Sequence, residues 1–128
     1  MTSRIYVLYA ISSVITVLLL MFHLTDDVVH GFEDGKLQLL TPVPIVVLWL
    51  YGTLVLSERR AGYVITLVGA LLSLGVPVIH LMGKGVGGIA KSGDGFFFVW
   101  TLLATAVTGL FAVVLSVLGL WRPLQRER

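Results

Sequence analysis

The chain contains no cysteine, which excludes disulfides and thiolate metal sites at once. It contains no asparagine either, and charge is scarce: 12% Asp, Glu, Lys and Arg against 57% hydrophobic residues. A water-soluble domain of 128 residues needs far more polar surface than that, and the mean hydropathy of +0.98 carries the same message. A phosphate-cradling loop is also missing. Six glycines crowd into 83–95, but without the preceding strand and following helix that such a loop requires. That segment is expected to form a mobile lid, because glycine lets backbone bend and approach closely.

What the chain does have is long apolar blocks, at 5–24, 42–57, 63–82 and 96–121. Crossing a bilayer takes about 20 residues of helix, and in hydrocarbon a helix satisfies its own backbone. The expected fold is therefore an all-α membrane protein: one domain, 1–128, forming an up-down bundle of four transmembrane helices at about 5–30, 42–57, 63–82 and 96–121. The first block is too long for a signal peptide's apolar region, which spans roughly 7–15 residues, and reads as a retained anchor. Tyr6 and Tyr9 are placed as interfacial anchors near its start. Pro77 removes a donor from helix three and predicts a kink just before His80. Thr41-Pro42 starts helix two as an N-cap followed by proline. Residues 57–62 form a tight turn, making helices two and three antiparallel neighbours. In helix four, Ala104, Thr108, Ala112 and Ser116 recur every fourth residue beside Thr101, Thr105 and Gly109. This small-residue face suits packing inside the bundle, or a second copy or larger membrane complex.

Charge orients the bundle. The side holding both termini and the 58–62 turn carries Arg4, Arg59, Arg60, Arg122, Arg126 and Arg128. The opposite loops carry only Lys36, Lys84 and Lys91 among bases, but five of the seven acids. The excess of bases places the termini in the cytoplasm. The expected location is a bacterial-type inner or plasma membrane, with lipid rather than nucleic acid as the surrounding partner. All three histidines, His23, His30 and His80, then fall at the outer ends of helices.

The polar residues there are spaced to work together. His23, Asp26, Asp27 and His30 stand at i, i+3, i+4 and i+7, one face of a helix. His23 and His30 lie about 10 Å apart along the axis, too far to share one ion. His23 and Asp27 are better matched, and a third ligand must come from another helix. His80 is the natural source: it lies 17 residues after Tyr63 as His23 lies 18 after Ile5, on a helix running the same way. The expected metal ligands are His23, Asp27 and His80, with Asp26, His30 and Asp94 as supporting or alternate ligands. Nitrogen and carboxylate donors without sulfur suit Zn²⁺, Fe²⁺, Mn²⁺ or Cu²⁺. The bland alternative is an outer surface that is merely wetted, with His23 donating one hydrogen bond. His80 resists it, since Ile79 and Leu81 flank it and a polar group at that depth is costly.

Four functions remain open on sequence. A zinc site can activate water for hydrolysis, with Asp26 as the candidate base. His23 and His80 can serve as the two axial ligands of a haem in an electron carrier. A His/Asp cluster can bind a cation in a transporter or channel, although no ionisable residue occupies the inner half of any helix. A chain this short can also be an accessory subunit of a larger complex. In size and span count the chain is similar to small multidrug exporters and double-barrelled fluoride channels. It has neither the exporters' acidic residue within 5–22 nor the channels' asparagine–phenylalanine arrangement.

Overall fold

The computed structural model describes residues 3–29, 42–82 and 95–126. Among these, the regular structure is entirely helical: α1 (Ser3–Val29), α2 (Pro42–Leu54), α3 (Arg60–Met82) and α4 (Gly95–Arg126). Three helices are long and apolar enough to cross a membrane, over Arg4–Val29, Arg60–His80 and Gly95–Trp121. α2 is shorter than its apolar run suggested, ending at Leu54 rather than residue 57. The reason is local. The Leu56 N–H turns back to the Tyr51 carbonyl at 3.1 Å, a six-to-one closure of the last turn. Gly62 then lets the chain pass, since a Cβ there would lie 2.6 Å from the Gly52 carbonyl oxygen and closer still to that of Leu56. α3 runs through Pro77 without losing its helical assignment.

Residue pairs give the helix directions. Tyr9 meets Thr66 and His23 meets His80, both with a sequence offset of 57, so α1 and α3 run parallel and in register. Thr53 meets Thr66 while Trp49, earlier on α2, packs at Gly69, later on α3, setting α2 antiparallel to α3 and so to the parallel α1. α4 lies along α1 and α3, which touch each other far less than either touches α4. Its Gly109 packs on Ser73 and Leu74, and its Gly119 on Tyr63. Of the small-residue face of α4, Thr101, Thr105, Ala112 and Ser116 are buried inside the bundle, while Ala104 and Thr108 are half-buried.

Inside and outside are inverted relative to a protein in water. The buried face of α1 is Tyr9, Ser13, Thr16, Leu20, His23 and Asp27, at alternating spacings of four and three. Outward go Leu8, Leu18 and Phe22 on the same helix, and Leu72, Ile79, Leu103 and Phe111 on its neighbours. Polar groups that would be costly in hydrocarbon face each other, and apolar ones face out, as a lipid surround requires.

The end that holds the α1 N-terminus, named the inner end on the charge expectation alone, is fastened by a chain of hydrogen bonds that sequence reading did not foresee. Trp49 Nε1 donates to Ser13 Oγ at 2.8 Å; Ser13 Oγ and Thr53 Oγ1 are 2.7 Å apart. Thr53 and Thr66 follow at 3.0 Å, then Thr66 and Tyr9 at 2.7 Å, and Tyr9 Oη reaches the Gly62 carbonyl at 3.4 Å. The two ends fix the direction: an indole N–H only donates and a carbonyl only accepts. Each hydroxyl between them therefore accepts from one neighbour and donates to the next. Tyr9, expected as an anchor at the membrane surface, is instead fully buried as a member of this chain.

Candidate metal centre

About 21 Å along α1 from Tyr9, a second polar layer forms around His23. Between the two layers sits an apolar cluster of Val17, Leu20, Val46, Trp49, Ala70 and Ala112. The Thr16 and Ser73 hydroxyls at intermediate depth donate to carbonyls of their own helices, Ser12 and Ala70. The Thr105 and Ser116 hydroxyls of α4 are buried as well.

His23 is 1% exposed and Asp27 3%, with Asp26 at 9%. Helical periodicity brings His23 and Asp27 together on one buried face, one turn apart. α3, parallel and in register, delivers His80 at the same depth. His23 Nε2 and His80 Nε2 are 3.4 Å apart, with ring centroids at 5.1 Å in an edge-on arrangement. His23, Asp27 and His80 each offer one ligand atom, and all three atoms lie within 4.8 Å of one another. His80 is only half-buried, so the group opens on its side.

These distances discriminate between occupants. Two nitrogens bound to one tetrahedral zinc at 2.0–2.1 Å stand about 3.3 Å apart, close to the separation found. Axial haem ligands approach iron from opposite faces with a macrocycle between them. Here the two rings touch, and Phe98 packs against both, at 4.5 Å from His23 and 5.1 Å from His80. The two histidines are in direct contact, with no gap of macrocycle width between their rings.

Of the remaining expected ligands, Asp26 is buried beside the group without belonging to it. His30, Asp94 and most of the glycine-rich lid lie outside the described residues. Sequence reading missed Phe98 and Thr101 as neighbours of the site. Thr101 Oγ1 is 3.2 Å from His23 Nδ1, and donates to the Phe98 carbonyl at 2.9 Å. The helix ends found in the structure supply the match: Thr101 lies as far into α4 from Gly95 as His23 lies into α1 from Val29. A depth count applied to threonines as well as histidines pairs them.

Comparison with protein-family models, curated proteins and solved structures found no match. The site's own chemistry has to carry the functional conclusion.

Proposed function

We propose that this chain is an integral membrane protein of four spans that holds one divalent transition metal at its outer end. The ligands are His23 Nε2, His80 Nε2 and an Asp27 carboxylate oxygen. Both termini lie in the cytoplasm, on the charge bias of the loops, and a bend at Pro77 aims His80 inward. α2 is the short crossing, supported by its antiparallel pairing with α1 and α3. The observation that carries the metal assignment is the convergence of three ligand atoms from two helices within 4.8 Å, with the histidine pair near the tetrahedral spacing.

Three protein ligands leave one position for water or a substrate, the arrangement of catalytic rather than structural zinc sites. Asp26, buried alongside, is suited to take a proton from such a water. The test is elemental analysis of protein purified in detergent without an affinity-tag metal, with His23→Ala and His80→Ala alongside. About one metal per chain, lost in both variants, supports the site. Metal-free protein that stays folded and takes up none of the four candidate ions rejects it.

One observation favours a second reading. Nitrogens 3.4 Å apart can also share a single N–H···N hydrogen bond. His23 and His80 would then be a latch joining α1 to α3 at the outer end, as the hydroxyl chain joins α1, α2 and α3 at the inner end. That fits an accessory subunit better than an enzyme. It predicts that His80→Ala weakens the fold with or without added metal.

A further inference from the structure

The hydrogen bonds around His23 determine which of its nitrogens carries the proton. Thr101 has one hydroxyl hydrogen, and the shorter of its two contacts, 2.9 Å to the Phe98 carbonyl against 3.2 Å to His23 Nδ1, favours giving it to the carbonyl. Toward His23 the threonine oxygen has only lone pairs left, so the 3.2 Å contact requires a hydrogen on His23 Nδ1. A neutral imidazole carries one hydrogen, so Nε2 of His23 presents a bare lone pair. It faces His80 Nε2 at 3.4 Å.

The geometry points to Thr101 as a positioning residue that holds His23 in its Nδ1–H tautomer, making Nε2 a ready ligand atom. The device has two parts on α4. The Phe98 carbonyl accepts the threonine proton and is also a backbone hydrogen-bond partner of His23, and the committed threonine adds a second acceptor at the histidine's Nδ1. Thr101 is itself fully buried, so water cannot substitute for either partner without opening the helix packing. The consequence for metal affinity rests on the metal-site reading. The tautomer does not, since a histidine latch would show it too.

The experiment uses the full chain in lipid nanodiscs, ¹⁵N-labelled at histidine and stripped of metal. Long-range ¹H–¹⁵N correlation reads the tautomer of each ring, with His30→Gln and His80→Gln for assignment. Wild type is expected to show a protonated Nδ1 and a bare Nε2 at His23. Thr101→Val, close to isosteric, should shift His23 toward Nε2–H, and Thr101→Ser should restore the wild-type signal. Zinc titrated into the same samples should bind the valine variant about 10–100-fold more weakly. The serine variant should stay within about threefold of wild type, as the same orienting bond is kept. A wild-type His23 in the Nε2–H form overturns the inference, as does a valine variant unchanged in both tautomer and affinity. A shifted tautomer with unchanged affinity overturns the positioning role. If wild-type His23 is Nδ1–H yet zinc does not bind, the tautomer lock stands and the metal site falls.

Discussion

Thr53 sits at the middle of the inner hydrogen-bond chain, and replacing it by valine cuts the chain with almost no change of shape. Valine keeps the β-branch and the volume, so the cost is that of the hydrogen bonds, not of a cavity. Two bonds go, to Ser13 at 2.7 Å and to Thr66 at 3.0 Å, both between buried atoms. Side-chain bonds between helices in membranes average about 0.6 kcal/mol and reach about 1.7 kcal/mol. That brackets the loss at roughly 1–3 kcal/mol. Relaxation trims the upper end, because Ser13 can turn back to a carbonyl of its own helix, as Thr16 does to Ser12. The expected destabilisation is therefore about 1–2 kcal/mol. The assay is SDS-driven unfolding from mixed micelles followed by circular dichroism. A double-mutant cycle between Trp49→Phe and Tyr9→Phe, the two ends, adds a sharper test. If the bonds polarise one another along the chain, the ends couple by about 0.5 kcal/mol or more. A Thr53→Val variant within about 0.3 kcal/mol of wild type would refute the reasoning.

Other expectations follow from single contacts. Gly69→Ala places a Cβ 2.5 Å from the Trp49 ring, which is buried and rigid, and should cost about 1–3 kcal/mol in the same unfolding assay. Gly75→Ala meets nothing within 4 Å and should be neutral or stabilising by up to about 1 kcal/mol. Asp27→Asn should weaken zinc binding by at least about tenfold by calorimetry, while Asp26→Asn leaves affinity nearly unchanged; the reverse order would reassign the carboxylate ligand. The absence of cysteine makes sidedness easy to read: Ser57→Cys should be shielded from an impermeant maleimide in intact cells, and Lys36→Cys labelled.

Much of the outer site was legible because it follows from counting. His23 and Asp27 share a helical face by spacing alone, and His80 matches His23 in depth because equal numbers of residues make equal lengths of helix. The inner layer was not legible for an equally physical reason. Tyr, Thr, Ser and Trp are tolerated both at a membrane surface and inside a bundle. Their spacing along α1 identifies a face, without saying what the face meets. Tyr9 is the case in point. Near a helix start it reads as an anchor, and only the register of α3, which brings Thr66 and Gly62 beside it, makes it a buried link. The end of α2 was hidden in the same way. Val55 and Leu56 are apolar enough to continue a helix, but the chain turns first, with Gly62 passing close over Leu56 and Gly52.

The two polar layers differ in a way that bears on what each is for. In the inner layer a donor-only indole and an acceptor-only carbonyl close the chain, so the hydroxyls between them are matched one for one. Such a chain stabilises the fold and has nothing left over for chemistry. The outer layer is not closed like that. His23 spends its Nδ1 hydrogen on Thr101, and its other nitrogen faces His80, which is half-open to the surroundings and brings a second acceptor-capable nitrogen. Two histidines and an aspartate supply more lone pairs than hydrogens. In a buried setting those lone pairs are met by hydrogen-bond donors of the protein, by a cation, by an additional proton, or by water. A cation of about the right radius meets all three ligand atoms at once, whereas a proton on the histidine pair meets two. The convergence of three ligand atoms within 4.8 Å, more than the presence of histidine as such, is what separates a candidate metal centre at the outer end from a structural fastening at the inner one.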